Sequence, residues 1–133
     1  VAAEPLVVVS RFQVPAEQAA SFAAGARAAI EVLAGCPGFL RGSLGQSTDE
    51  AGLRAIVTEW DGVGSYRRAL SRAEVKASAI PFLSYAIDEP SAYEVVHART
   101  PDTVMGGLSG LAADAGSIGL GRAAGPTIPP VTA

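Results

Sequence analysis

Residues 53–60, with the sequence LRAIVTEW, form the stretch that decides the fold. Their β-branched and aromatic residues favour a strand, and Asp61-Gly62 directly after them predicts its end. Because side chains alternate between the faces of a strand, one face carries the even-numbered residues Arg54, Ile56, Thr58 and Trp60. A polar turn, residues 47–52, joins this strand to a weaker one at residues 39–46, so the pair predicts a hairpin.

The chain before the hairpin predicts a strand followed by a helix. Residues 6–14, LVVVSRFQV, have strand composition, and Pro15 ends the strand and suits the start of a helix. In residues 16–34 the larger apolar side chains lie three and four positions apart, which indicates one helical face: Phe22, Ala26, Ile30 and Leu33.

The chain after the hairpin predicts a split helix and a closing strand. Residues 63–70 favour a short helix, and Ser71 with Glu74 has the form of a capping box that would open a second one. Pro81 predicts a kink or a restart. Residues 92–98, AYEVVHA, predict the last strand.

The resulting order, β-α-β-β-α-β, predicts an α+β domain of the ferredoxin-like type. Such a domain has a four-stranded antiparallel sheet with helices on one face only. Its other face needs a cover, which in this layout is commonly a second sheet, so the order predicts a partner subunit that supplies one.

The chain divides by composition into residues 1–98, the domain, and residues 99–133, an extension rich in Gly, Ala and Pro. The extension has no sustained period, which is typical of a flexible tail. Leu108, Leu111, Ile118 and Leu120 could instead anchor it as an arm or as a lid over a pocket. Both interpretations stay open.

Composition excludes several function classes. The net charge is −3 and no basic stripe is present, which argues against nucleic-acid binding. One cysteine and one histidine argue against a disulfide, a cysteine cluster and a multi-histidine metal site. No apolar run is long enough to span a membrane, and no secretory signal is visible, so a cytoplasmic protein is expected.

Five features in order resemble the antibiotic biosynthesis monooxygenase family. The first strand leads into a helix after Pro15, CPGFL at 36–40 turns into the second strand, and the third strand ends in Glu59-Trp60. Tyr66 follows six residues after Trp60, and AYEVV at 92–96 closes the domain. The resemblance covers about residues 5–98 and implies the dimeric α/β-barrel fold.

The resemblance implies an oxygenase that uses no metal, flavin or other cofactor. Family members of this kind act with O2 on small aromatic substrates, anthrone-type polyketides or quinols, in secondary metabolism. Other members cleave haem with a histidine on the helix after the tryptophan, and 66–72 has none. A non-redox polyketide cyclase and a non-catalytic ligand-binding protein remain as alternatives.

The resemblance also implies the site. Trp60 and Tyr66 are the expected catalytic residues, since both can donate a hydrogen bond to a substrate oxygen, and each could instead be a structural aromatic. The resembling oxygenases also use an asparagine on the third strand and an arginine on the later helix. Ile56 stands at the first position, and no arginine stands clearly at the second. The expected substrate-binding residues are Ser10, Arg11, Ile56, Thr58 and Arg72.

Overall fold

β-Branched and apolar residues build a four-stranded antiparallel sheet in the computed structural model, which describes residues 4–106 of the 133. The strand order is β2-β3-β1-β4. The described residues fall into two units, residues 4–94 and residues 95–106. The strands of the first unit are β1 (Leu6–Gln13), β2 (Phe39–Gln46), β3 (Leu53–Trp60) and β4 (Ala92–Glu94).

Helices cross over between the strands of the first unit. A short 3₁₀ turn, Ala16–Gln18, leads into α1 (Ala19–Ala34) between β1 and β2. Three short helices lie between β3 and β4: α2 (Val63–Leu70), α3 (Ala73–Ser78) and α4 (Ile80–Leu83). The α+β prediction with a four-stranded antiparallel sheet is therefore confirmed.

Strand register decides which side chains meet the helices. Leu6 pairs with Trp60, Val8 with Thr58 and Ser10 with Ile56, so these even-numbered positions share one face. All of them except Ser10 are buried, among side chains of the four helices. The odd-numbered positions of β1 and β3 form the opposite face, called the open face below, and are partly buried except Gln13, which is exposed.

A cluster of phenylalanines sets α4 against α1 and the sheet. Phe12 on β1, Phe22 on α1 and Phe82 on α4 have ring centroids 5.0–5.6 Å apart. Gly25 makes room for the Phe82 ring, because a Cβ there would lie 2.6 Å from Phe82 Cε1. This close approach fixes α4 beside the sheet.

Two sequence predictions were wrong. Ser71 does not cap α3, since its hydroxyl donates back to the Arg67 carbonyl and it ends α2, while Arg72 takes the N-cap position of α3. The last strand ends at Glu94 rather than Ala98, because β5 (His97–Arg99) pairs with β6 (Val104–Gly106) in a separate hairpin. The kink predicted at Pro81 is a restart, the first turn of α4.

The anchors predicted within the C-terminal extension lie outside the described residues. Within residues 4–106, no helix is both long and apolar enough to cross a membrane.

Candidate active site

The start of α2 is fixed by polar contacts directly after β3. The Ser65 hydroxyl donates a hydrogen bond to the Asp61 carboxylate at 2.5 Å, and the Tyr66 backbone N–H donates to the Gly62 carbonyl at 3.4 Å. These bonds close the first turn of α2 and set the direction in which Tyr66 leaves it.

Tyr66 lies against Trp60, whose side chain is completely buried. Their ring centroids are 5.5 Å apart, and Phe39 meets the other side of the indole edge-on at 5.3 Å. The indole Nε1–H donates to Oγ1 of Thr58 at 2.9 Å, so the protein itself satisfies this donor. The Tyr66 hydroxyl has no hydrogen-bond partner among residues 4–106 and is thus available to a ligand.

A cavity of about 440 Å³ opens beside the Tyr66 ring, between the helices and the edge of the sheet at β1. This volume lies in the range of small-molecule sites. Apolar residues from β1, α2, α4 and the segment after α4 form much of its wall: Val9, Leu70, Ile80, Leu83, Ala86 and Ile87.

The polar groups of the cavity are hydroxyls and carboxylates. They belong to Ser10, Tyr66, Ser84, Asp88, Glu89 and Ser91. Burial raises the pKa of the Tyr66 phenol, so the group stays protonated and able to donate at neutral pH. The cavity therefore combines a phenol donor and carboxylate acceptors with an apolar wall.

Chemistry, rather than size, distinguishes this cavity. Depressions of about 390, 370 and 510 Å³ lie elsewhere on the first unit, and none of them is lined by a carboxylate. Proton transfer needs a donor and an acceptor close to the same ligand. Tyr66, Asp88 and Glu89 line the same cavity, and Arg11 engages the carboxylate of Glu89.

The segment 87–91 forms the outer wall of the cavity and is fastened to β1 at three points. The Ile87 N–H donates to the Arg11 carbonyl, and the Val9 N–H donates to the Ser91 carbonyl, both at 2.7 Å. The Arg11 guanidinium also makes two hydrogen bonds to the Glu89 carboxylate, at 2.7 and 2.8 Å. A bidentate pair of this kind fixes orientation as well as distance.

The sequence profile of the family described as antibiotic biosynthesis monooxygenase matches residues 5–79, more than half of the chain. The chain belongs to the antibiotic biosynthesis monooxygenase family. The resemblance drawn from Trp60, Tyr66 and their neighbours is thereby confirmed.

Solved structures share this fold with the chain. SnoaB from Streptomyces nogalater, a cofactor-independent oxygenase solved as a point variant, is 22% identical with a TM-score of 0.63, and the match covers 76% of this chain and 100% of that one. A protein from Deinococcus radiodurans, provisionally assigned to the same family, is 20% identical with a TM-score of 0.61, over 74% and 99% of the two chains. A conserved protein from Methanosarcina mazei is 21% identical with a TM-score of 0.58, over 68% and 92%. No protein of curated function matches the sequence significantly.

The residues predicted for the site of this family member are divided between the cavity and the core. Ser10 and Tyr66 line the cavity. Ile56, Thr58 and Trp60 are buried and are not among its lining residues.

The two predicted arginines point elsewhere. Arg11 holds Glu89 and does not line the cavity itself. Arg72 is half-exposed at the start of α3, pairs with Glu74 at 2.8 Å, and is not a lining residue either.

Sequence reasoning missed the far wall of the cavity. Ile80 and Leu83 belong to a short helix that restarts at Pro81, so their sequence shows no helical period. Asp88 and Glu89 lie in a loop that carries no motif. The two adjacent carboxylates before Pro90 were the available signal.

The Arg11–Glu89 pair gives the protein a predictable acid response. Arg11 lowers the pKa of the Glu89 carboxyl, mainly through the side-chain hydrogen bond. The pair therefore stabilises the fold above the ordinary glutamate pKa, about 4.3, and this contribution is lost as the pH falls through the lowered folded-state pKa.

We expect the Arg11→Met variant to unfold more easily than the wild type in urea at neutral pH. The difference between the two should shrink as the pH falls from about 5 through the lowered folded-state pKa of Glu89. Arg67→Met, which removes an exposed arginine without a side-chain partner among residues 4–106, is the matched control. If the wild type were more stable than Arg11→Met by the same amount at every pH, the difference could not come from the Arg11–Glu89 pair.

Proposed function

We propose that the chain is a cofactor-independent monooxygenase that uses O2 to oxidise a small aromatic molecule, of the anthrone or hydroquinone type, in secondary metabolism. The proposal rests on a largely apolar cavity lined by Asp88, Glu89 and Tyr66, whose hydroxyl has no hydrogen-bond partner among residues 4–106. Membership of the antibiotic biosynthesis monooxygenase family supports it.

The apolar wall suits a flat ring system. Leu70, Ile80 and Leu83 offer branched aliphatic surface to its faces, and burial of that surface favours binding. The hydroxyls of Ser10 and Ser91 can bond the oxygen substituents around the rim of the rings, whereas the Ser84 hydroxyl donates to the Pro81 carbonyl at 2.6 Å. This pattern of apolar faces and polar edges matches an oxygenated polycyclic aromatic.

The reaction begins with loss of a proton. An anthrone methylene gives its proton to a carboxylate, for which Asp88 is the better candidate, because Glu89 is held by Arg11. The negative charge that develops on the anthrone oxygen is stabilised by a hydrogen bond from Tyr66. A protonated phenol serves this purpose, and the raised pKa of Tyr66 keeps it protonated.

The carbanion then reduces O2. Electron transfer and C–O bond formation give a hydroperoxide at the former methylene, with one proton returned to oxygen. Loss of the second C–H proton and cleavage of the O–O bond release water and leave a ketone. The sum is R₂CH₂ + O₂ → R₂C=O + H₂O, in which the substrate supplies all the electrons.

Trp60 acts behind Tyr66 in this proposal. Its indole packs against the phenol ring, and its N–H is committed to Thr58. Ile56 is part of the buried core and does not line the cavity. Trp60 is thus a positioning residue, whereas Tyr66 touches the substrate.

Oxygen uptake tests the proposal. The purified protein, treated with a chelator, is supplied with a panel of anthrones and hydroquinones, and uptake is compared with their autoxidation. Turnover well above autoxidation supports the oxygenase when it forms the ketone from an anthrone or the hydroxylated quinone from a hydroquinone. Binding of the same compounds without uptake would reject it.

A non-redox cyclase is the second candidate, because a phenol and a carboxylate that line the same cavity can also act as general acid and general base. A cyclase closes a ring at the same rate with and without O2. Anaerobic incubation with an uncyclised aromatic precursor therefore separates the two candidates.

We also propose that a second copy covers the open face of the sheet. Val9 pairs with Val57 there, Val7 lies beside them on β1, and Tyr93 on β4 is 51% exposed. Apolar side chains next to one another on an uncovered sheet favour association.

Light scattering after gel filtration should accordingly give the mass of a dimer. Val57→Lys places a charge at the centre of this face and should yield a monomer, while Ser78→Lys, an exposed position on α3, should not change the mass. A wild-type monomer at micromolar concentration would contradict the dimer.

A further inference from the structure

Arg54 occupies a position that a core residue would normally take. It lies on the helix-facing side of β3, in register with Phe12 on β1 and Gln46 on β2. Its Nη1 atom is buried and has no hydrogen-bond partner, and no other nitrogen of its side chain has one among residues 4–106. An unpaired buried donor on a charged group is costly, so this arrangement calls for a partner.

A depression of about 370 Å³ adjoins the Arg54 guanidinium, between the first half of α1 and the hairpin end of β2 and β3. Small residues open it: Ala19 and Ala23 on the helix and Gly45 on the strand. Arg27 follows Ala19 and Ala23 at successive intervals of four, so it extends the same helical stripe over the depression.

The charges around this depression are all of one sign. Arg27 and Arg54 line it, no carboxylate does, and neither arginine has an ion-pair partner among residues 4–106. The positive end of the α1 dipole, at Ala19, adds to the field. By contrast, the arginines at 11, 41 and 72 each pair with a glutamate.

We propose that this depression is a binding site for a phosphate-class oxyanion, either inorganic phosphate or the end of a small phosphate monoester. The planar guanidinium of Arg54 bonds two oxygens of the anion, Arg27 closes over it from α1, and the Gln46 amide donates from the strand. The volume leaves room for a short organic substituent beside the phosphate.

The site is separate from the cavity at Tyr66. The two depressions have no lining residue in common, so the anion site stands whether or not the chain is an oxygenase.

Isothermal titration with phosphate, glycerol phosphate and acetate, at constant ionic strength, tests the proposal. We expect the wild type to bind phosphate or glycerol phosphate, and Arg54→Met to weaken that binding at least about tenfold. Methionine keeps the apolar stem and removes the unpaired charge, so the variant should fold at least as stably as the wild type. Arg27→Met should weaken binding by a smaller factor, and the control Arg67→Met should leave it unchanged.

Comparison of the affinities for phosphate and for glycerol phosphate also identifies the kind of anion that the site binds. Tighter binding of glycerol phosphate indicates an ester, and equal binding indicates the inorganic ion. The proposal is overturned by a wild type that binds neither phosphate compound, by unchanged affinity in Arg54→Met, by an equal loss in Arg67→Met, or by acetate binding as tightly as phosphate.

Discussion

Replacing Tyr66 by phenylalanine should lower oxygen uptake about 100-fold while leaving substrate affinity nearly unchanged. The ring stays in place against Trp60, at a centroid distance of 5.5 Å, and the apolar wall is not altered. Only the hydroxyl that donates to the developing negative charge is lost. A change in turnover without a change in binding is the signature of an interaction made in the transition state.

Initial rates from an oxygen electrode and ligand-dependent quenching of Trp60, the single tryptophan, measure the two quantities separately. Tyr85→Phe is the matched control, since Tyr85 is 82% exposed and does not line the cavity. An unchanged rate in Tyr66→Phe would remove Tyr66 from the chemistry.

The raised pKa of Tyr66 sets the pH range in which its hydroxyl can contribute to the rate. Deprotonation of the phenol would abolish donation, but burial moves its pKa above the ordinary value of about 10. The tyrosine-dependent part of the rate should therefore persist through the range from about pH 7 to about pH 9. A loss of that part of the rate within this range would contradict the assignment.

Replacing Trp60 by alanine should cost about 3–5 kcal/mol of unfolding free energy. The indole is fully buried, packs on Phe39 and Tyr66, and belongs to the larger of the two core clusters. Its removal leaves a cavity and deprives Tyr66 of its support. Urea unfolding measures the change, with Tyr85→Ala, expected to lie within about 0.5 kcal/mol of the wild type, as the exposed control.

Two milder variants keep this prediction testable if the alanine variant does not fold. Thr58→Val leaves the indole N–H without its acceptor, at a cost of about 1–3 kcal/mol. Trp60→Phe retains most of the packing and should cost less than alanine. If Trp60→Phe instead weakens ligand binding without destabilising the fold, the indole touches the substrate directly.

The strands and the main helices could be predicted from sequence because their signals are local. Residues 53–60 alternate between faces, and Asp61-Gly62 ends the strand where the structure ends it. The stripe through Ala26 and Leu33 on α1 is buried as its spacing predicts.

The errors arose where a local signal competes with a neighbouring element. Ser71 satisfies the end of α2 before α3 begins, so the capping-box pattern is not used. Residues 97–99 have the composition of a strand, but they pair with 104–106 instead of extending β4. Composition does not specify a strand's partner.

The site was only partly predictable for a similar reason. Tyr66 could be found from its spacing after Trp60, and Ser10 from its place in β1. The wall formed by Ile80, Leu83 and Asp88 depends on how α4 packs, and the contact of Phe82 with Gly25, far away in sequence on α1, decides that packing. Nothing in the sequence around Arg11 indicates that its partner is Glu89, 78 residues further along the chain.

Filling the cavity at Tyr66 with a bulky side chain tests whether the substrate is oxidised there. Ser84 is exposed and lines the cavity, and its hydroxyl bonds the Pro81 carbonyl of the same turn, so Ser84→Phe gives up one exposed hydrogen bond and should place its ring where the substrate binds. Ser78→Phe introduces the same ring at an exposed position outside the lining. We expect oxygen uptake with an anthrone to fall at least about tenfold in Ser84→Phe and to be unchanged in Ser78→Phe. Equal uptake by both variants and the wild type would contradict this expectation, because the reaction would then take place elsewhere.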